Sequence, residues 1–219
     1  MWKAWLLLLW LHLPVLAESF DPQTHLKRIA VGIQAGLVRV LSEDGLSVLY
    51  TRGLDEPSSA RYSEESRQAT FAALEIDPRA LEKVGFYTVK LYPKLTRHAE
   101  ATALLGTILS SPTLSKWGRS QLEYFLVTVM NSDKQIEARR QALLALAVAP
   151  TVSDFTIDRV VGKFERIDNL WELFPVQQFF EYQGASLKTR KIYPKLRARL
   201  EKVDSIYTPG ILEALDKAR

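Results

Sequence analysis

From Ser63 onward the chain repeats one local pattern, and that pattern restricts the fold more than any other feature. A capping residue or a proline opens each stretch, apolar residues follow at three- and four-residue steps, and a polar, glycine or proline stop closes it. Ser63-Glu64-Glu65-Ser66 opens a helix running to about Leu74, with a hydroxyl cap and early acids at the positive end of the dipole. Asp77-Pro78 opens a second, ending before Pro93, and Thr96 a third, running to about Leu109. Ser111-Pro112 opens a fourth, through Trp117, Leu122, Phe125 and Val129, and Asp133 a fifth, ending before Pro150. Ser153 caps a sixth, to about Ile167. Asp168 opens a seventh, bent at Pro175 and ending at Gly184. Ser186 caps an eighth, broken by Pro194 and resumed to Val203, and Thr208-Pro209 starts a short last helix. Taken in pairs, these helices begin at Ser63, Thr96, Asp133 and Asp168, steps of 33, 37 and 35 residues. A near-constant step holding two antiparallel helices predicts an all-α fold of stacked helix pairs, an α-solenoid.

Short stretches of text recur with the spacing. Arg67-Gln68-Ala69, Arg97-His98-Ala99 and Arg140-Gln141-Ala142 each begin a run ending in leucine, and Lys90-Leu91-Tyr92-Pro93-Lys94-Leu95 returns as Lys191-Ile192-Tyr193-Pro194-Lys195-Leu196. The run Glu137-Ala138-Arg139-Arg140-Gln141-Ala142-Leu143-Leu144-Ala145-Leu146 resembles the alanine- and leucine-rich helix, opened by arginine, of HEAT-type repeats. By spacing the resemblance covers Ser63 to Val203; by text it covers this one segment. It implies a HEAT-like superhelix serving as a binding scaffold, and it carries over no catalytic residue.

The N-terminus has a different character. Met1-Trp2-Lys3 is followed by the apolar run Ala4 to Leu13, then Pro14, then Val15-Leu16-Ala17 before the polar Glu18-Ser19. This is the layout of a secretory signal with a cut after Ala17. The apolar run is about half the roughly 20 residues that a spanning helix needs, which weighs against an uncleaved anchor. The expected organisation is a signal peptide over 1–17 and one helical domain over 18–219. Within it, 18–62 hold an N-terminal helix and loop, 63–203 the helix-pair repeats and 204–219 the terminal helix. Asp21-Pro22 starts the N-terminal helix, with Leu26, Ile29, Ile33, Leu37 and Val40-Leu41 on one face. Leu37 to Thr51 fits either its continuation or a hairpin around Ser42-Glu43-Asp44-Gly45, and helix is the expectation. Gly53 to Tyr62 reads as a surface loop.

The absence of cysteine excludes disulfides, thiolate metal sites, thiol catalysis and lipoprotein anchoring. About 200 residues remain after cleavage, long enough to be held by a core alone. With the signal, this predicts a periplasmic or secreted protein that is not a lipoprotein. A formal charge of +4 then points to anionic lipid, cell-wall polymer or acidic protein rather than to nucleic acid.

No catalytic pattern emerges. His25 and His98 stand 73 positions apart with no neighbouring ligand, and HExxH, G-x-S-x-G, S-x-x-K and phosphate-cradling glycine loops are missing. Neither metal nor cofactor is expected. Glu64, Glu65 and Glu123 are nominees for a lone catalytic glutamate, but helix-start and solvent-face roles account for each. The distinctive features lie near the C-terminus. Lys188, Lys191, Lys195, Arg199 and Lys202 are three or four residues apart and form a basic stripe if the helix continues across Pro194. Immediately before them, Trp171, Phe174 and Phe179 could line a groove, and one of the adjacent pair Phe179-Phe180 is expected to be partly exposed.

The expectation is an exported, non-enzymatic scaffold that binds an envelope or secreted protein through these aromatic and basic helix pairs. The alternatives are a glycan-acting envelope enzyme with a single glutamate, or a peripheral factor on anionic lipid. Cleavage after Ala17 predicts that N-terminal sequencing of the mature protein reads Glu18 first; reading Met1 would overturn the exported state.

Overall fold

In a computed structural model, the structure describes Leu41 and residues 63–217 other than 168. The signal peptide, the N-terminal helix apart from Leu41, the choice between helix and hairpin, the loop before Tyr62, His25 and the helix start at Asp168 lie outside the described residues. Leu41 is helical and half-buried against the core.

All regular structure among the described residues is helical. Ser63 caps α1 (Glu64–Ala73) by accepting from the Ser66 N–H at 3.2 Å. The helix closes through two backbone bonds, Ile76 N–H to Phe71 O at 2.8 Å and Glu75 N–H to Ala72 O at 3.1 Å. This closure needs a left-handed residue, and Glu75 supplies it at φ 55°, a position that usually holds glycine. Phe71 and Ile76, buried on either side of the turn, hold the chain in that conformation. Asp77 accepts from the Arg79 N–H and starts a 3-10 turn, Pro78–Ala80, leading into α2 (Leu81–Leu91). A second 3-10 turn, Tyr92–Lys94, carries Pro93 out of that helix.

The two central helices are α3 (His98–Leu109) and α5 (Ile136–Ala147). Every residue of α3 from Ala99 to Leu109 is buried, as are Ala138 and Gln141 through Ala147 of α5. Both helices are covered on nearly every side over these stretches, and the alanines of α5 let its neighbours approach closely. Between them runs α4 (Lys116–Ser132), capped by Ser115, which accepts from the Gly118 N–H at 2.9 Å. The expected start at Ser111-Pro112 is four residues early. There the chain makes a turn in which Arg119 donates to the carbonyls of Leu109 (2.7 Å) and Ser111 (2.9 Å), closing the end of α3. α5 likewise starts after Asp133, whose side chain accepts from the Gln135 N–H in the turn before it.

Ser153 caps α6 (Asp154–Phe164) and Asn169 caps α7 (Leu170–Lys188). Gly184, expected to end α7, lies inside it. A Cβ there would stand 2.6 Å from the Leu215 carbonyl oxygen, so the glycine serves close approach rather than termination. Pro175 is also accommodated within α7: the carbonyl it leaves without an intrahelical partner is that of Trp171, on the exposed first turn. The eighth helix is shorter than expected, α8 (Tyr193–Leu200), because Ser186 belongs to α7. α9 (Thr208–Asp216) closes the described chain.

Packing links α3 to α5, α5 to α7 and α7 to α9; α2, α4, α6 and α8 make a second succession of lighter contacts, joined to the first mainly where α4 meets α5. One buried cluster runs from Phe71 to Leu215. Gln183 of α7, buried, donates to the carbonyls of Ala147 (2.8 Å) and Ala149 (2.9 Å), satisfying the C-terminal end of α5.

Gly184→Ala is expected to cost about 1–3 kcal/mol, because backbone of the α9 segment must move to admit the methyl group. Gly210→Ala, where a Cβ meets nothing within 4 Å, should be neutral or stabilise by up to about 1 kcal/mol. Denaturant melts of both variants measure the difference; equal effects would show that the α7–α9 contact is not close.

Candidate functional site: a cleft between helices α4 and α6

Three buried carboxylates organise the molecule. Glu123, on α4, accepts from the Ser153 N–H and Ser153 hydroxyl, both at 2.7 Å, and from the Thr156 hydroxyl. It therefore places an anion on the N-terminus of α6, where the helix dipole favours one. Asp133 accepts from the Tyr92 hydroxyl at 2.9 Å and from His98 Nδ1 at 2.8 Å on one oxygen, and from the Gln135 N–H at 2.8 Å on the other. The Tyr92 hydroxyl also meets the Thr102 hydroxyl at 3.0 Å, and its ring lies 4.3 Å from that of His98. Glu172, only 1% exposed, accepts from Arg139 Nε at 2.7 Å and faces Lys163 Nζ at 2.8 Å. Arg139 also donates to the Asp133 carbonyl at 2.8 Å. This joins the α4–α5 corner to α6 and α7.

Above Glu172 opens a cleft of about 630 Å³. One wall is the α4 face carrying Tyr124, Thr128, Asn131 and Ser132. The other is an α6 face with Phe155, Arg159 and Lys163 and, just beyond the helix, Arg166. The Tyr124 and Phe155 rings stack across the mouth, 5.7 Å apart and 21° from parallel. Arg159 lies over the Phe155 ring at 5.1 Å, and Arg166 Nε donates to the Gly162 carbonyl at 2.8 Å. Arg139 and Lys163 share the single Glu172 carboxylate, whereas Arg159 and Arg166 have no carboxylate within ion-pair distance among the described residues. The nearest acids, Asp158 on α6 and Glu165 just beyond it, are ion-paired elsewhere, and Arg166 acts on Glu165 only through its charge. Arg199 reaches across from α8 to hold Glu165 at 2.6 Å and Asp158 at 2.5 Å, which keeps the Glu165 carboxyl below its usual range.

The residues singled out from the sequence fall into separate places. Trp171 and Phe174 are 68% and 57% exposed on the first turns of α7, with the Arg140 guanidinium 5.7 Å over the Trp171 ring. They lie outside the cleft lining. Phe179 is not a groove residue. It and Phe180 are both fully buried and pack edge to face at 5.4 Å. Adjacent residues point to different sides of a helix, but α7 is covered on two sides, by α5 and α9, so both rings find cover. The basic residues do not share one helix: Lys188 ends α7, Lys191 lies in the following turn, Lys195 and Arg199 are on α8, and Lys202 lies beyond it. Lys188 donates to the Asp216 carbonyl and Arg199 is held by the α6 acids, while Lys191, Lys195 and Lys202 are exposed. Glu64 pairs with Arg67 at 3.5 Å, and Glu65 is an exposed first-turn acid of α1. The cleft itself was not anticipated. Its signal was present in Phe155, Arg159, Lys163 and Arg166, spaced four, four and three apart, a single helix face mixing an aromatic with cations.

Compared with models of protein families, with curated proteins and with solved structures, the chain matches none.

Burial raises the Tyr92 phenol above its ordinary value; the Asp133 carboxylate adds to this and the Thr102 hydroxyl offsets part of it. A phenol that stays protonated when folded but ionises when unfolded favours the unfolded state in alkali. Its contribution is intact below about pH 10 and is lost as the pH rises further. Tyr92→Phe should therefore flatten the fall of stability above about pH 10, as read from urea midpoints across that range. An unchanged slope would mean that Tyr92 ionises freely in the folded protein.

Proposed function

We propose that this chain is an exported, non-enzymatic interaction module, built of helix pairs, that docks on another envelope or secreted protein. The observation that carries the reading is the exposure of Trp171 and Phe174 side by side on the first turns of α7, with Leu170 63% exposed beside them. Single exposed apolar side chains are ordinary, but large ones grouped together mark a surface that a partner covers. Arg140, stacked on Trp171, adds a residue type common at the centres of such interfaces. The rigid support beneath is consistent with this: α7 is anchored by buried Phe179, Phe180 and Gln183, so the exposed pair is held in a fixed place. Alternation of the helices between two successions, with α3, α5, α7 and α9 in one, is the arrangement that a helix-pair scaffold requires. The glutamates nominated for catalysis have structural or solvent-face positions, and Glu123 in particular is engaged by three donors at the α6 cap.

Affinity capture with the full mature chain from the envelope fraction of its own cells tests this. Wild type should recover a defined protein partner, and Trp171→Ala with Phe174→Ala should reduce the recovery about tenfold or more, as loss of central aromatic anchors does. The thermal midpoint should stay within a few degrees, since both side chains are exposed. Equal recovery by the double variant, or no partner with wild type, would overturn the reading.

A further inference from the structure

The cleft between α4 and α6 has two walls of opposite hydrogen-bonding character. The α6 wall offers positive donors, Arg159 and Arg166, without a carboxylate partner among the described residues. The α4 wall offers acceptors. The Thr128 hydroxyl donates to the Tyr124 carbonyl at 3.1 Å, the Ser132 hydroxyl to the Thr128 carbonyl at 2.7 Å, and the Asn131 amide nitrogen to the Val127 carbonyl at 2.8 Å. With those hydrogens turned into the helix, the wall presents mainly oxygen: two hydroxyl oxygens and an amide carbonyl with free lone pairs, beside the second N–H of the Asn131 amide. The stacked Tyr124 and Phe155 add an apolar strip at the mouth.

We propose that this cleft is a binding site for an acidic peptide segment of a partner protein; the proposal rests on the interaction-module reading and names the chemistry of its partner. Carboxylates of the segment pair with Arg159 and Arg166, its backbone N–H groups donate to Thr128, Asn131 and Ser132, and an apolar side chain packs on the Tyr124–Phe155 pair. A peptide meets both walls because it carries anions and N–H donors together. A phospholipid phosphodiester has acceptors only, and inorganic phosphate brings no more than one or two O–H donors on a single small anion, so neither meets both arginines and the three α4 acceptors together. The volume of about 630 Å³ is within the range of sites that enclose small ligands. Glu172 does not repel the segment, because Arg139 and Lys163 neutralise it within the floor.

The test is fluorescence anisotropy with the full mature chain and a labelled ten-residue peptide alternating acidic residues with leucine or phenylalanine. Saturable binding is expected, weakened by salt. Arg159→Gln and Arg166→Gln, both at exposed positions, should each weaken it about tenfold, whereas Lys195→Gln, an exposed cation on α8, should change it less than about twofold. The same peptide with its acids replaced by their amides should not bind. Binding of the amide peptide, equal binding by the two arginine variants, or equal loss with Lys195→Gln would overturn the proposal. So would displacement of the peptide by inorganic phosphate at peptide-like concentration, or arginine-dependent binding to vesicles of anionic phospholipid that excludes the peptide: the site would then be a simple anion or lipid site. Loss of the peptide with partner capture through Trp171 and Phe174 intact would remove this inference alone, and the reverse result would remove the docking role of α7 alone.

Discussion

The close approach of neighbours to α5 is the constraint on which the other helix positions depend. Ala138, Ala142, Ala145 and Ala147 are buried to the point of no or almost no exposure, and larger side chains there would hold α3, α4 and α7 farther off. A helix covered so completely must also have its ends satisfied. Gln183 does this at the C-terminus, and the Asp133 turn leads the chain in at the N-terminus. The site follows from that geometry: the cleft lies between α4 and α6, and its floor is where Arg139 of α5 meets Glu172 of α7.

The buried acids serve as joints rather than as chemistry. Each ties a helix end to a residue distant in sequence: Glu123 to the α6 cap, Asp133 to Tyr92 and His98, and Glu172 to Arg139 and Lys163. Desolvating a carboxylate is costly, so each persists through two or more charged or hydrogen-bonding partners. Such joints add orientation more than net stability, and orientation is what a surface formed from several helices requires.

Much of the helical layout was legible because its punctuation is local. Ser63, Ser153 and Thr208-Pro209 mark helix starts where the structure has them, since a cap or a first-turn proline acts within four residues. Ser111-Pro112 and Gly184 misled for a nonlocal reason. Arg119 closes the end of α3 and turns the chain before Ser115 can cap, and the approach of Leu215 rather than a helix end demands a glycine at 184. The repeated Lys-Leu/Ile-Tyr-Pro-Lys-Leu text shows the same limit. Its first copy leaves α2 and its second enters α8, because a proline can follow a helix or occupy its first turn. Yet both tyrosine hydroxyls donate to an aspartate, Tyr92 to Asp133 and Tyr193 to Asp216. Trp171 and Phe174, expected as groove residues, are exposed but lie outside the cleft, whose own lining was not read from the sequence. The burial of Phe179 and the pairing of Arg199 depend on which helix lies alongside, which helical periodicity does not encode.

The charge on α6 illustrates how a binding wall is made from an ordinary helix. Arg199 engages Asp158 and Glu165, so Arg159 and Arg166 are left without an ion-paired acid among the described residues, and both line the cleft with Lys163. Lys163 and Arg166 sit at or just past the C-terminal end, where the dipole favours cations whether or not a ligand is present. Arg159 is further steadied by the Phe155 ring and Arg166 by the Gly162 carbonyl. A guanidinium ordered in advance loses little conformational freedom when an anion arrives, so more of the pairing energy appears as affinity. Neutralising Glu172 within the floor completes the arrangement. It lets an acidic residue hold three helices together beneath a surface that remains positive.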